Sequence, residues 1–502
     1  MKGSKPQGCP SSILTMEGSW DQEQAATMRD IFPEECGLAA AIHMQNASRY
    51  VYDCLMLQEH RGEDSVGIIS LDEAARFHIR RRVGRVREQF FDTDFEQRLP
   101  GHAAIGHNRY ATAGAADALT NIQPLYFQNT KYGAFAIAHN GTFLDRKGIR
   151  ERLTQEGVVF QSSLDSEVFG HLIARSNADT LEEAIIDATG DISAAYALFV
   201  FTREKLIALR DPSGVRPMSI AKINDGFLVC SENYTFDQYR NCEPIGDIQP
   251  GEMVIFEHNS SNFKRMQYAE PEESFCVFEG IYFSDPRSQY NGFWHEDFRF
   301  ELGRQIFREN PDLQGDCIIP VLDSGKHAAW GLSEASGVPY REHFKRLHNP
   351  PRANLRSFTS SKDEDRMRTA YQKLHLRKEL VRGKRVIIVD DSVVRSTTIQ
   401  IINQRLREAG AVEIINCISA PPIKNICPFG MDFQDRQQLV AYERSIEDIR
   451  QKVGADRLIY LSLEGLQDVV KETYKCGICS GCFGGNYASS ALDALSLHKR
   501  AE

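Results

Sequence analysis

Residues 385–398 read Arg-Val-Ile-Ile-Val-Asp-Asp-Ser-Val-Val-Arg-Ser-Thr-Thr. Residues 386–389 form a β-branched apolar run, which predicts a buried strand, and two acids follow it. The hydroxyl-rich loop after the acids leads into a segment with helical periodicity. Hydroxyls and backbone N–H groups at a helix N-terminus can hold a phosphate monoester, and adjacent acids can bind vicinal hydroxyls or Mg²⁺. The stretch therefore predicts a strand, a phosphate-binding loop and a helix of an α/β domain.

The sequence on both sides of this stretch alternates between strand and helix patterns. The expected strands are 316–322, 385–389 and 414–419, and the expected helices begin at Lys326 and Thr397. Such alternation is typical of a parallel, doubly wound sheet. We expect the α/β domain to span residues 275–470 and a Cys-rich C-terminal segment to span 471–502.

The preceding part of the chain has a different pattern, with short apolar runs that Gly and Asn interrupt. It predicts an α+β domain over residues 36–265, and the polar stretch 257–273 reads as a linker. Residues 1–35 fit neither a secretory signal nor a transit peptide and are expected to be a leader or propeptide. The expected strands are 133–139, 194–201, 206–209 and 226–229, and the expected helices are 47–59 and 165–176.

Composition narrows the possible functions. A chain of 502 residues predicts two to four domains at about 150 residues each. The net charge of −10 argues against nucleic acid or an anionic membrane as the main partner. The longest apolar run, 194–201, falls short of the roughly 18 residues that a membrane span needs. The 12 cysteines are too dilute for a disulfide scaffold, which favours reduced thiols, metal ligands or a nucleophile.

Cys36 alone would be read as a small buried core residue. Four further strings follow it along the chain: Glu-His-Arg-Gly at 59–62, Gly-His-Asn-Arg-Tyr-Ala-Thr at 106–112, Ala-His-Asn-Gly at 138–141 and Ser-Leu-Asp-Ser-Glu at 163–167. This set, in this order, resembles the class II glutamine amidotransferases. The resemblance implies a four-layer α+β N-terminal-nucleophile (Ntn) hydrolase domain.

The same resemblance implies the chemistry of that domain. Cleavage before Cys36 would expose an α-amine with a pKa of about 8, which can take the thiol proton at neutral pH. Arg109 would bind the α-carboxylate of glutamine, and Asp165 its α-ammonium group. An asparagine amide and a glycine N–H would form the oxyanion hole, and an arginine would order the pocket. The expected catalytic set is Cys36, Arg61, Asn140 and Gly141.

Residues 385–398 resemble the phosphoribosyl pyrophosphate (PRPP) motif of the type I phosphoribosyltransferases. With the first domain, the chain from Cys36 to Tyr487 resembles the glutamine PRPP amidotransferase family. The resemblance implies an α/β phosphoribosyltransferase domain with a parallel sheet and a bound Mg²⁺. The expected PRPP-binding residues are Asp390, Asp391, Ser392, Arg395, Ser396, Thr397, Thr398 and Lys373, and the expected Mg²⁺ ligands are Ser324, Asp390 and Asp391.

Two departures from the family lie in this second domain. Ser396 stands where the family has Gly, and a Cβ costs on the order of 1 kcal/mol if the position needs a positive φ. The family's flexible loop, which closes over the substrate and completes an ammonia channel, is replaced by a different sequence over residues 345–358.

Cys476, Cys479 and Cys482 form a CxxCxxC string, which by itself predicts either a zinc or an iron–sulfur site. Some members of the family that the chain resembles carry a structural [4Fe–4S] cluster, and the same members have a processed leader. The resemblance implies that Cys476 lies outside the ligand set. The cluster ligands would be Cys276, Cys427, Cys479 and Cys482.

The leading hypothesis is an enzyme that passes ammonia from glutamine to C1 of PRPP, the entry step of purine synthesis. One alternative is a paralogue that aminates another phosphosugar. The other is a regulatory paralogue that binds nucleotides without synthase turnover. The family also suggests inhibition by purine nucleotides and a homo-oligomer, dimeric or tetrameric, in the cytoplasm.

Overall fold

The structure is a computed structural model that describes residues 36–90, 94–109, 119–144, 146–192, 194–346, 374–431 and 436–488. These residues belong to one compact unit. The expected leader 1–35, most of the altered loop and residues 489–502 lie outside the described residues. None of the helices in the described ranges has the length and the apolar stretch that a membrane-spanning helix needs.

Two antiparallel sheets form the N-terminal half. Their strands are β1 (Cys36–Ile42), β2 (Ser65–Leu71), β3 (Phe77–Val83), β4 (Ala103–Arg109), β5 (Leu125–Asn129), β6 (Gly133–Phe143), β7 (Ala194–Thr202), β8 (Lys205–Arg210), β9 (Ser219–Ile223), β10 (Gly226–Cys230), β11 (Cys242–Asp247), β12 (Glu252–Glu257) and β13 (Phe263–Gln267). One sheet has the order β11-β9-β10-β1-β4-β2-β3, and the other has the order β13-β12-β8-β7-β6-β5.

Helices cover the outer faces of both sheets. They are α1 (Ala47–Leu57), α2 (Val86–Gln89), α3 (Phe95–Arg98), α4 (Arg146–Gln155), α5 (Asp165–Arg175) and α6 (Leu181–Gly190). Side chains alternate along β1, as the strand period of two requires. Leu38 and Ala40 pack between the two sheets, whereas Ala39 and Ala41 pack on the α1 side. The four layers agree with the Ntn-type architecture expected from the sequence.

A parallel sheet organises the C-terminal half. The strands here are β14 (Phe275–Cys276), β15 (Gln289–Tyr290), β16 (Phe293–Trp294), β17 (Cys317–Pro320), β18 (Phe344–Arg346), β19 (Leu374–Leu376), β20 (Arg385–Asp390), β21 (Glu413–Ile418), β22 (Arg457–Tyr460) and β23 (Ile478–Cys479). The helices are α7 (His295–Glu309), α8 (Lys326–Ser336), α9 (Thr397–Glu408), α10 (Ile446–Val453) and α11 (Leu463–Thr473).

The parallel sheet has the order β17-β20-β21-β22. Ile387 and Val389 of β20 pack on the side of α7 and α8, and Val386 and Ile388 pack on the side of α9. Helices on both faces explain why the strand is apolar throughout rather than alternating. The α/β domain predicted from residues 385–398 is therefore present.

Two predicted boundaries fall inside regular elements. The stretch 257–273, predicted to be a linker, contains β13, so this prediction was wrong and the boundary at 265 falls inside that strand. The strand is polar because it is the edge of its sheet and exposes Lys264, Arg265 and Gln267. The boundary at 470 falls inside α11, which ends at Thr473.

Candidate active sites

Cys36 is the first residue of β1 and is fully buried. It lies opposite Arg109, the last residue of β4, in the antiparallel register of the two central strands. The sheet pairing therefore places the expected nucleophile beside the expected glutamine-carboxylate ligand, although 73 positions separate them in the sequence (109 − 36).

Asn140 and Gly141 lie on β6 of the other sheet, which packs against β1. Gly141 has a φ of 142°, and a Cβ there would lie 1.9 Å from the carbonyl oxygen of Ala195, so only glycine fits. Asn140 is fully buried, and neither atom of its side-chain amide has a hydrogen-bond partner among the described residues. A buried unpaired amide costs about 1–3 kcal/mol, so a donor left open here indicates a ligand atom such as an oxyanion.

Arg109 and Asp165 are both buried, and Asn121 links the segments that carry them. Nη1 of Arg109 donates to the carbonyl oxygen of Asn121 at 2.9 Å, and the N–H of Ser163 donates to Oδ1 of Asn121 at 3.0 Å. Asp165, two residues beyond Ser163, accepts from the N–H of Phe143 at 3.0 Å. A guanidinium and a carboxylate on two segments that Asn121 joins would suit the α-carboxylate and the α-ammonium group of an amino acid. No sequence pattern indicated that Asn121 would join these two segments.

Arg61 ends a 3₁₀ turn, Gln58–Arg61, that follows α1 and is fully buried. Its Nε donates to the backbone carbonyl oxygen of Cys36 at 3.0 Å. Arg61 therefore holds the main chain of the nucleophile in place, as the expected pocket-ordering role requires.

Arg61 also forms ion pairs that sequence reasoning missed. Its guanidinium lies 2.7 Å from a carboxylate oxygen of Glu232 and 2.9 Å from one of Glu279. Glu279 also lies 2.9 Å from Nη1 of Arg216. We call Arg61, Arg216, Glu232 and Glu279 the buried ion-pair network. Its members come from distant parts of the chain, so no local spacing could have indicated it.

Asp390 and Asp391 lie where β20 ends, and both are buried. Oδ1 of Asp390 accepts from Oγ of Ser324 at 3.4 Å and from the N–H of Asp391 at 3.0 Å. Oγ of Ser392 donates to Oδ2 of Asp391 at 2.6 Å. The structure thus brings the three expected Mg²⁺ ligands together with Ser392.

Burial and then the neighbouring Asp391 raise the pKa of Asp390 well above its usual range. Two adjacent buried carboxylates repel each other, and a cation or hydroxyl donors between them would relieve that repulsion. Mg²⁺ in such sites commonly takes one or two carboxylates and completes its shell with water and substrate phosphates. The donor set therefore fits the expected Mg²⁺, although the described residues do not form a closed cage of protein ligands around it.

Ser396 precedes α9 with a φ of 68° and a ψ of −8°. The position thus requires the left-handed conformation, which explains why glycine would suit it better. Nε2 of Gln400 donates to Oγ of Ser396 at 3.0 Å. Thr397 and Thr398 form the first turn of α9, where open N–H groups and the helix dipole favour an anion. Arg395 precedes this turn, whereas Lys373 lies outside the described residues.

Four cysteines line one small internal cavity in the C-terminal half. They are Cys276, Cys427, Cys479 and Cys482, the four expected cluster ligands, and Cys476 is absent from the described lining. Cys276 and Cys479 are brought together because β14 and β23 pair in parallel register. The carbonyl oxygen of Cys482 accepts from the N–H of Lys424 at 2.9 Å, which ties the tail to the loop that carries Cys427.

The arrangement of these thiols bears on the kind of group that they could hold. In the described part of the chain, no three or more His, Cys, Asp or Glu side chains are arranged to hold a single metal ion. Four buried thiols around a common space suit a polynuclear cluster, in which each thiolate binds its own iron, better than tetrahedral zinc.

Comparisons with known proteins agree with both halves of the chain. The family model for the glutamine amidotransferase domain matches residues 107–238. The amidophosphoribosyltransferase of Bacillus subtilis is 36% identical over 457 residues, 90% of this chain and 94% of its own length. The amidophosphoribosyltransferase of Archaeoglobus fulgidus is 36% identical over 91% of this chain and 98% of its own length.

Solved structures agree as well. A structure of the allosteric regulatory enzyme of purine biosynthesis matches with a TM-score of 0.83 and 34% identity, over 90% of this chain and 96% of its own. The glutamine PRPP amidotransferase of B. subtilis, complexed with ADP and GMP, matches with a TM-score of 0.82 and 34% identity, over 90% of this chain and 97% of its own. The chain belongs to the amidophosphoribosyltransferase family.

Proposed function

We propose that this chain transfers the amide nitrogen of glutamine to C1 of PRPP and forms 5-phosphoribosylamine, glutamate and pyrophosphate, the first step of purine synthesis. The observation that carries the proposal is the open, buried amide of Asn140 on the strand that packs against β1, which starts at Cys36. The phosphate-binding turn at Ser396 lies in the same compact unit and supplies the second half of the reaction.

In the glutaminase half, Sγ of Cys36 attacks the side-chain amide carbon of the substrate glutamine, and the α-amine of Cys36 takes the thiol proton. The Nδ2–H of Asn140 and the N–H of Gly141 donate to the oxyanion that forms. The proton then passes to the leaving nitrogen, ammonia departs, and water hydrolyses the γ-glutamyl thioester. This chemistry needs Cys36 at the N-terminus, so we propose that residues 1–35 are removed.

In the synthase half, the lone pair of ammonia attacks C1 of PRPP and pyrophosphate leaves. Asp390 and Asp391 accept hydrogen bonds from the ribose hydroxyls, and residues 392–398 bind the 5′-phosphate. Ser324, Asp390 and Asp391 would hold Mg²⁺, which supplies positive charge for the departing pyrophosphate. The local donors make PRPP binding compatible with a net charge of −10.

We further propose that Cys276, Cys427, Cys479 and Cys482 hold a structural [4Fe–4S] cluster. Supporting observations are the shared cavity and the exposure of only 7–8% for each of the four residues. Burial and then the other three thiols raise the pKa of Cys482 well above its usual range, so the four sulfurs act on one another. Iron would bind them as thiolates and fix the tail to the synthase domain.

One observation each supports the proposed nucleotide inhibition, oligomeric assembly and cellular compartment. The relative complexed with ADP and GMP supports purine nucleotides as inhibitors of this chain. Trp294 and Trp330, 40% and 54% exposed, lie at α7 and α8 and suit the interface of a homodimer or homotetramer. The buried free thiols of Cys230 and Cys417, with the cluster, favour a reducing compartment such as the cytoplasm.

The two halves of the reaction can be separated by substitution of the nucleophile. We expect Cys36→Ala to lower glutamine-dependent pyrophosphate release by about 1,000-fold or more, because covalent catalysis is lost. Release with ammonium as donor should stay within about 3-fold of the wild type, because the synthase site is intact. Cys242→Ala, a half-buried thiol on β11, is the matched control and should keep both activities. Glutamine-dependent release by the Cys36→Ala enzyme would exclude the mechanism.

Metal analysis tests the cluster. Protein purified without oxygen should contain about four irons and four sulfides per chain. Cys427→Ala should lose most of both and unfold at a lower temperature, whereas Cys476→Ala should keep them, since Cys476 is absent from the described lining of the cavity. One zinc per chain without sulfide, or iron loss in the Cys476 variant alone, would refute the proposed ligands.

Ser396→Gly tests the backbone strain in the phosphate loop. We expect the free energy of unfolding to rise by up to about 1 kcal/mol, because glycine adopts a φ of 68° without a Cβ clash. Ser392→Gly is the matched control and should not stabilise the protein, because it removes the hydrogen bond to Asp391. Denaturant unfolding of both variants gives the comparison. A Ser396→Gly protein less stable than the wild type would show that the side chain outweighs the strain.

A further inference from the structure

Glu279 is a fully buried carboxylate to which the proposed reaction assigns no part. It begins a five-residue π-helical turn, Glu279–Phe283, shortly after β14, and it is fully buried. Turns of this kind are rare and frequently lie at functional sites. The position follows Cys276 by three residues, so it belongs to the segment that joins the two halves of the chain.

The carboxylate of Glu279 accepts four hydrogen bonds. Oε1 accepts from Nη2 of Arg61 at 2.9 Å and from Nη1 of Arg216 at 2.9 Å. Oε2 accepts from Nη1 of Arg61 at 3.2 Å and from Oγ of Ser284 at 2.7 Å. A carboxylate has about four acceptor positions, so this geometry is saturated and leaves little freedom to rotate.

The charges of the buried ion-pair network balance, with Arg61 and Arg216 against Glu232 and Glu279. Burial alone would raise the pKa of Glu279, but Arg61 and Arg216 lower it below its usual value. Glu279 is therefore ionised at neutral pH. Replacement by a neutral group would leave the two buried guanidinium groups of the network with a single carboxylate, Glu232, which pairs with Arg61.

The two arginines that bind Glu279 form hydrogen bonds to two different parts of the chain. Arg61 donates through Nε to the carbonyl oxygen of Cys36 at 3.0 Å. Arg216 donates through Nη2 to the carbonyl oxygen of Phe429 at 2.7 Å, two residues beyond Cys427, and also lines the cysteine cavity. One side chain thus stands between the nucleophile and a loop of the synthase half.

We propose that Glu279 is a positioning residue that sets the place of Cys36 according to the state of the synthase half. The inference rests on the proposed function. Glu279 acts through Arg61 and touches no reacting atom. A displacement of the Cys427 loop moves Arg216, and the shared carboxylate passes that movement to Arg61 and the main chain of the nucleophile. The segment that leads to Cys427 begins at Ser419, whose N–H donates to the carbonyl oxygen of Asp390 at 2.9 Å. Through this contact, hydrolysis of glutamine depends on whether the synthase half is occupied.

Glu279→Asp is the informative variant, because it keeps the charge and withdraws the carboxylate by one methylene. Glu279→Gln keeps the length and removes the charge. Glu252→Asp is the matched control, since Glu252 is also buried and paired with an arginine, Arg265, but lies on β12 away from the network. Each full-length protein is assayed under anaerobic conditions. Glutamine hydrolysis is measured with and without PRPP, and pyrophosphate release is measured with ammonia as the donor.

We expect Glu279→Asp to lower kcat for glutamine hydrolysis by about 10- to 100-fold, the cost of misplacing a reacting group by about an ångström. KM for glutamine and the ammonia-dependent rate should stay within about 3-fold of the wild type. The factor by which PRPP raises the rate of glutamine hydrolysis should also fall in Glu279→Asp. Inactivation by an electrophilic glutamine analogue that alkylates Cys36 should slow in parallel with kcat. Glu252→Asp should change none of these values.

Two results would overturn the proposal. One is an unchanged kcat and PRPP stimulation in Glu279→Asp. The other is an equal loss of glutamine- and ammonia-dependent activity, which would mean general damage rather than positioning. If Glu279→Gln does not fold, Glu279→Asp decides alone. If Glu279→Asp does not fold either, Arg216→Lys takes its place and should also lower the stimulation of glutamine hydrolysis by PRPP. A wild-type protein that releases no pyrophosphate from PRPP with either donor would instead refute the proposed function.

Discussion

Arg61 and Glu279 pair at 2.9 Å with no exposure of either side chain to water, and the arrangement of both halves depends on this contact. Removing one partner of a buried ion pair typically costs about 3–5 kcal/mol, so Arg61 depends on Glu279 from the second half as well as on Glu232 from its own half. The same arginine fixes the carbonyl oxygen of Cys36. The glutaminase site is therefore complete only when the segment after β13 has packed against it.

The buried polar groups around the glutaminase site are unevenly satisfied. Glu279 uses its acceptor positions fully, whereas the amide of Asn140 has no partner among the described residues. A protein retains a costly unpaired amide where a ligand will pair it, and it saturates the groups whose geometry must stay fixed relative to their partners. The contrast separates the group that meets the substrate from the group that holds the nucleophile.

Local pattern was sufficient for much of the fold and for part of each site. The apolar run of β20 and the hydroxyls after it predicted a strand followed by a phosphate loop. The family has glycine at position 396, and Ser396 does adopt the positive φ that glycine would favour. The polar edge strand β13 was mistaken for a linker, because an edge strand exposes one side to water. Glu232, Glu279 and Asn121 escaped prediction because their partners come from distant segments, and only the folded chain brings them together.

If the two sites work as one enzyme, each glutamine hydrolysed in the presence of PRPP yields one pyrophosphate. The most direct measurement is the ratio of glutamate to pyrophosphate formed from glutamine and PRPP, without added ammonium and without oxygen. We expect equal amounts of glutamate and pyrophosphate, about one to one, and little glutamate when PRPP is omitted. Steady formation of glutamate with no pyrophosphate would contradict this expectation.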